Sequence, residues 1–151
     1  SEDLIQAAEV AIPSELPRLI ALMDSADENA VTPYLRRVIE TTKDEEVLIV
    51  CLKSQHVPGD LDLLTPLTKS PSWQIRAQIA RVLGEKISPG QEHLLISLLK
   101  DKVWWVRYRA AESLSRLKFF SRDELWRLRF SVGDQFAQDI LDQVVAEKRL
   151  T

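Results

Sequence analysis

Apolar residues recur three and four positions apart along almost the whole chain, and the interruptions carry Pro, Gly, Ser or Asp. That is the signature of consecutive amphipathic helices. Strand-like alternation is almost absent. The pattern predicts ten helices, over residues 3–10, 14–23, 31–41, 44–55, 60–69, 72–86, 90–100, 103–118, 121–131 and 134–148. Thr42-Lys43-Asp44-Glu45 and Ser121-Arg122-Asp123-Glu124 have capping-box spacing, in which a hydroxyl and a carboxylate satisfy first-turn amides reciprocally. Val57-Pro58-Gly59-Asp60 and Ser88-Pro89-Gly90 read as turns.

The helices repeat. A shift of 31 residues lays Leu64 on Leu95, Leu67 on Leu98, Lys69 on Lys100, Trp73 on Trp104, Ile75 on Val106, Arg76 on Arg107, Ala80 on Ala111 and Leu83 on Leu114, all in one register. A looser copy lies upstream at a shift near 29, with Leu35, Val38, Val50 and Cys51 facing Leu64, Leu67, Ile79 and Ala80. Downstream, a shift of 30 sets Leu98, Val106, Ala111 and Leu114 against Leu128, Phe136, Leu141 and Val144. Two-helix repeats of this length cannot bury their apolar faces alone and must stack side by side.

The segment 98–114, LLKDKVWWVRYRAAESL, resembles a HEAT repeat of the short kind common in bacteria, with an Asp near the turn (Asp101), a Val-Arg pair opening the second helix (Val106-Arg107), and then Ala110-Ala111 and Leu114. The strong resemblance covers residues 60–118. Ser70 stands where the next repeat has Asp101, and the upstream copy lacks both the Val-Arg pair and the tryptophan. The resemblance implies an all-α, right-handed α-solenoid of about four helical hairpins preceded by one or two extra helices. The whole chain, 1–151, is expected to form a single HEAT-repeat domain, with clear repeats at 60–90 and 91–120 and degenerate ones at 31–59 and 121–151. It also implies that Arg76 and Arg107 bridge to loop carboxylates or carbonyls between adjacent repeats, with Asp101 as such an acceptor; the rigid guanidinium fork suits several acceptors at once. The last helix should close the stack, with Phe136, Ile140, Leu141, Val144 and Val145 on one apolar stripe and Gln135, Gln138, Asp139, Asp142 and Gln143 elsewhere.

Composition narrows the function. With 151 residues, 45% apolar and 28% charged, the chain can bury a core without staples and is neither disordered nor fibrous. Cys51, the one cysteine, sits in the run Val47-Leu48-Ile49-Val50-Cys51-Leu52 and reads as a small buried hydrophobe. That run is far short of the ~20 residues that cross a bilayer, so no direct membrane insertion is expected of this segment. The chain opens on Ser1 rather than Met and shows no signal-peptide pattern. The expectation is therefore a cytoplasmic protein, or the soluble part of a longer, anchored chain.

Net charge is −3, but unevenly spread. Residues 1–60 carry five Lys/Arg against twelve Asp/Glu, net −7, whereas 100–130 carry nine against four, net +5. The basic stretch interleaves Arg107, Arg109, Arg116, Arg122, Arg127 and Arg129 with Trp104, Trp105, Tyr108 and Trp126. Packing between repeats is expected to cover most of the four tryptophans, while one of the adjacent Trp104 and Trp105 must face outward, since neighbours on a helix diverge by ~100°. Trp105, Tyr108, Arg109, Arg116, Arg122 and Trp126 are the candidate partner-binding residues. Catalytic signals are poor. His56 and His93 flank turns with no metal-ligand or triad spacing, and the four glycines stand singly, so no phosphate cradle exists. The expectation is a non-enzymatic protein-interaction scaffold with no cofactor, holding a protein partner or another domain of a longer chain. Nucleic-acid backbone binding through the same patch is the alternative, and an accessory role in chromophore attachment, since short HEAT repeats also occur in bilin lyases, is a third.

Overall fold

The computed structural model describes residues 2–149, and every regular element among them is helical. The chain divides into two compact units, one up to Leu63 and one from Leu64 on.

The first unit contains α1 (Glu2–Val10), α2 (Leu16–Leu22) with a 3-10 turn at Met23–Ser25, α3 (Glu28–Thr41) and α4 (Glu45–Lys53). α1 packs on α2, α2 on α4 and α3 on α4. The two helices ahead of the repeats thus pair as a hairpin of their own. Ile20, Met23, Leu35, Cys51 and Leu52 form the sealed centre. Four bonds hold the residues after α4 to the 3-10 turn and to α3, one of them from Gln55 Nε2 to the Asp24 carbonyl. Ser54 Oγ donates to Asp24 Oδ1 at 2.6 Å, Thr32 Oγ1 donates to the His56 carbonyl at 3.0 Å, and His56 Nε2 lies 3.0 Å from the Asp24 carbonyl. The expected Thr42/Glu45 capping box is replaced by a nearer cap. Asp44 Oδ1 accepts from the amides of Glu46 and Val47, and Thr42 Oγ1 accepts from Asp44 N. A carboxylate next to the first turn reaches those amides directly and also meets the positive end of the helix dipole.

The helix expected over 60–69 is interrupted. One α-turn, α5 (Leu61–Leu64), runs into a 3-10 segment, Thr65–Lys69, at the point where Pro66 enters. Proline has no amide to donate to the fourth residue back, so the i,i+4 ladder cannot continue through it.

The second unit stacks α6 (Trp73–Lys86), α8 (Trp104–Arg116) and α10 (Gln135–Arg149) in series. α7 (His93–Leu98) contacts both α6 and α8, and α9 (Arg122–Ser131) contacts both α8 and α10. Several residues related by the shift of 31 have the same environment: Leu64 and Leu95, Ala80 and Ala111, and Leu83 and Leu114 are all sealed, while Trp73 and Trp104 are 38% and 39% exposed; Leu67, by contrast, is half-buried where Leu98 is buried. α6 and α8 cross where Gly84 meets Ser113; a Cβ on Gly84 would lie 2.6 Å from the Ser113 Cβ. Beside this crossing Ser113 Oγ donates to the Ala80 carbonyl at 2.8 Å.

The apolar stripe of α10 departs from its expected register at one end. Ile140, Leu141 and Val144 are buried and Val145 is half-buried, but Phe136 is 60% exposed and Ala137 takes the core place. Asp134 Oδ1 accepts from the Ala137 amide at 2.9 Å and caps the first turn. Phe136 lies outside, with the Arg107 guanidinium 4.7 Å from its ring centre.

Candidate functional site

The candidate residues lie in the second unit, and the structure separates them into two groups. On α8, Trp105, Tyr108, Arg109 and Arg116 follow one another at intervals of three, one and seven residues, which places them on one stripe of the helix. The sequence list omits Trp104, yet this residue completes the aromatic group. The Trp104 and Tyr108 rings stack at 5.1 Å with 17° between planes, and Trp105 meets both edge-on, at 4.9 Å and 6.3 Å. Such offset and edge-to-face pairs let the positive ring edge meet the negative face. The three rings therefore hold one another in place, and Trp105 remains 51% exposed.

The rest of the stripe is charged and partly neutralised from within. Glu112 lies three residues after Arg109 and four before Arg116. Its Oε1 is 3.2 Å from Arg109 Nη1 and its Oε2 is 3.6 Å from Arg116 Nη2. The Tyr108 hydroxyl donates to Glu147 Oε2 of α10 at 3.0 Å. That hydrogen bond, followed by burial and the Glu147 charge, pushes the Tyr108 phenol above its ordinary range. The i,i+3 and i,i+4 signal for Glu112 is readable in the sequence; the Tyr108–Glu147 contact, 39 residues apart, is not.

Arg122 and Trp126 belong to α9. Among the described residues no ring contact or ion pair joins them to the α8 group. Arg122 lines a small cleft of about 40 Å³ with Ser115, Phe120 and Val145. Trp126 packs edge-on against Phe130 at 4.8 Å and borders a separate cleft of about 150 Å³ between α9 and α10, where Arg129 pairs with Asp142. All four tryptophans are at least 38% exposed, so packing between repeats does not cover them. The reason is position: Trp73 and Trp104 open their helices, ahead of the buried crossing, and Trp105 and Trp126 cover neighbouring rings on their own helices.

Arg76 and Arg107 have different surroundings. Arg76 Nε and Nη2 donate to the two carboxylate oxygens of Asp101, at 2.8 and 3.2 Å, and Nη1 donates to the carbonyls of Ser70 and Pro71. This joins α6 to the turn between α7 and α8. Arg107 Nη1 donates to the Asp101 carbonyl at 2.8 Å, an acceptor in its own hairpin. Its reach into the following hairpin is the Phe136 ring rather than a carboxylate or carbonyl. At the shift of 30 the place of Asp101 falls to Ser131, the last residue of α9. The exposed phenylalanine fills that role through its ring face.

Of the side chains with reactive potential, Cys51 is sealed and burial pushes its thiol up to about 12. His56 and His93 each face a backbone carbonyl, of Asp24 and Gly90. Among the described residues no helix is long and apolar enough to cross a membrane, and no group of three His, Cys, Asp or Glu side chains is placed to hold a metal ion.

Helical hairpins stacked through a common register define an all-α protein of the α-solenoid class. A protein-family model of HEAT repeats matches residues 61–140, more than half of the chain, and the chain belongs to that family. No curated protein matches it.

Proposed function

We propose that this chain is a non-enzymatic docking module that holds a protein partner, or another domain of a longer chain, on the aromatic and basic stripe of α8. HEAT repeats in general mediate protein–protein interaction. The observation that carries the reading here is the ring cluster of Trp104, Trp105 and Tyr108. Three aromatic side chains lock one another in place while Trp105 stays half-exposed. Ordering large side chains is a main cost of association, and a cluster already ordered in the free protein avoids most of it. Trp, Tyr and Arg are also the residues that dominate interface energetics. The burial of Cys51 and the backbone bonds of His56 and His93 support a binding role over a catalytic one.

The test is capture from native lysate at near-physiological salt, with and without nuclease, using wild type, Trp105→Ala and Arg109→Glu/Arg116→Glu. A specific protein that survives nuclease and is lost with both variants, whose helical melts match wild type, supports the module. Recovery of nucleic acid alone would replace the protein partner by a phosphate backbone. Binding unaltered in both variants would remove α8 as the site.

A further inference from the structure

Resting on that reading, we infer that the segment recognised by α8 is acidic with an apolar anchor, and that Glu112 occupies the place of its carboxylate in the free protein. The contrast with Arg76 carries the argument. Arg76 is spent: four hydrogen bonds to Asp101, Ser70 and Pro71 use its donors, and its side chain is 8% exposed. Arg109 and Arg116 share a single carboxylate, one oxygen each, and are 43% and 71% exposed. A guanidinium has five donors. Arg109 uses one of them on Glu112, and among the described residues Arg116 makes no hydrogen bond, since 3.6 Å is too long for one. Both fork faces remain available to a bidentate carboxylate, the geometry for which Arg is suited.

Charge complementarity sets the chemistry of the occupant. Residues 100–130 carry net +5, and Lys102 and Lys118, both exposed, flank the stripe at its two ends. A continuous phosphate backbone fits less well, because Glu112 and Glu147 place two carboxylates within the stripe. A protein segment can set its charges one at a time. Glu147 also gives the site a direction. It lies on the Tyr108 hydroxyl, at the aromatic end, and repels carboxylates there; the anchor therefore belongs over Trp105 and the carboxylates over Arg109 and Arg116. Trp105 and Arg116 are eleven residues apart, about 16 Å along the helix, a span covered by about five extended residues.

The inference predicts that removing an acidic residue, Glu112, strengthens binding. The experiment is fluorescence anisotropy of the purified chain with labelled nonapeptides on a Gly/Ser frame, each with one Leu and, five residues away, two Glu, made in both chain orders. Matching peptides carry Gln for Glu, and a single-stranded oligonucleotide serves as competitor. One Glu peptide should bind at least about tenfold tighter than its Gln match. Glu112→Gln should tighten that binding about threefold, the size of a weak exposed ion-pair competition, with an unchanged helical melt. Arg109→Gln/Arg116→Gln should erase the preference for Glu. Equal binding of Glu and Gln peptides, no binding of either, no gain in Glu112→Gln, or preferential displacement by the oligonucleotide would each overturn the inference. If capture of a protein still depends on Trp105 while the peptides show no acidic preference, the docking module stands and only its acidic partner falls.

Discussion

Arg76 and Asp101 form a two-point ion pair with both side chains more than nine-tenths buried, 25 residues apart in the chain. The same Asp101 Oδ1 accepts from the Val103 amide at 2.9 Å, so one carboxylate fastens α6 to the turn before α8 and orders the entry of α8 itself. Arg107 adds a third tie, to the Asp101 carbonyl. The position of Trp104, Trp105 and Tyr108 thus depends on a buried polar knot directly beneath the start of their helix.

Breaking that pair from one side leaves a buried charge without its partner, which costs about 3–5 kcal/mol. Arg76→Ala and Asp101→Asn should both lower the urea midpoint strongly, although Asn keeps an acceptor for Val103. Arg76→Lys should recover little, because one ammonium cannot reach both carboxylate oxygens and two carbonyls. A double-mutant cycle between the two sites should give a coupling above about 1 kcal/mol. Additive single effects would show that the pair is not a unit.

The first unit has a related pair in an open setting. Arg36 Nε and Nη2 donate to the two oxygens of Asp60, at 3.0 and 2.8 Å, with both side chains exposed. The hydrogen bonds from Arg36 hold the Asp60 carboxyl below its ordinary value of 3.8. A depressed carboxylate stabilises the folded state above its unfolded pKa, and that contribution disappears as pH falls through the folded one. Solvent screening makes it small here. NMR titration should find Asp60 below 3.8 in wild type and moved upward in Arg36→Gln, with little change in unfolding midpoint at pH 7.

The register of the two clear repeats is legible because corresponding positions are sealed in both: Leu64 with Leu95, Ala80 with Ala111. The Arg76–Asp101 tie followed from the family resemblance. What escaped depends on rotations and long-range contacts that no local pattern encodes. Phe136 and Ala137 are both apolar neighbours, and which of them faces the core depends on how α10 packs on α8 and α9. Pro66 was visible, but its effect on the 60–69 helix depends on where the ladder is cut. On α8 the spacing of Glu112 from Arg109 and Arg116 is present in the sequence, but the net charge of the stretch does not single it out.

Gly84 should tolerate no side chain. Its missing Cβ is the space into which Ser113 packs, 2.6 Å from where a methyl group would sit. Ala is the better helix former by about 1 kcal/mol, so an open site would gain from Gly84→Ala. Here overpacking at the α6/α8 crossing should outweigh that gain and cost about 1–3 kcal/mol net. Ser113→Gly should restore part of the loss in the double variant, by removing the clashing Cβ, though not all of it, because the hydrogen bond to the Ala80 carbonyl goes as well. A Gly84→Ala variant as stable as wild type in urea would mean that the helices separate without cost.

Cys51 predicts an alkaline limit to stability. Its thiol is sealed, and burial alone raises it from 9.0 to about 12. In the unfolded chain the thiol ionises near pH 9; in the folded chain it keeps its proton. The unfolded state therefore binds fewer protons between about pH 9 and 12, and stability must fall with rising pH across that window. Below about pH 9 the contribution is fully present. Three pH units correspond to about 4 kcal/mol at most. Lys and Tyr also titrate in this range, so the measurement is a difference: the stability of wild type relative to Cys51→Ala, followed by urea unfolding from pH 8 upward, should shrink as pH rises. Independently, a thiol reagent at pH 8 should leave native Cys51 unmodified and react at once in 8 M urea. Native-state labelling at the rate of free cysteine would show that α4 opens and that the sealed core is not the resting state.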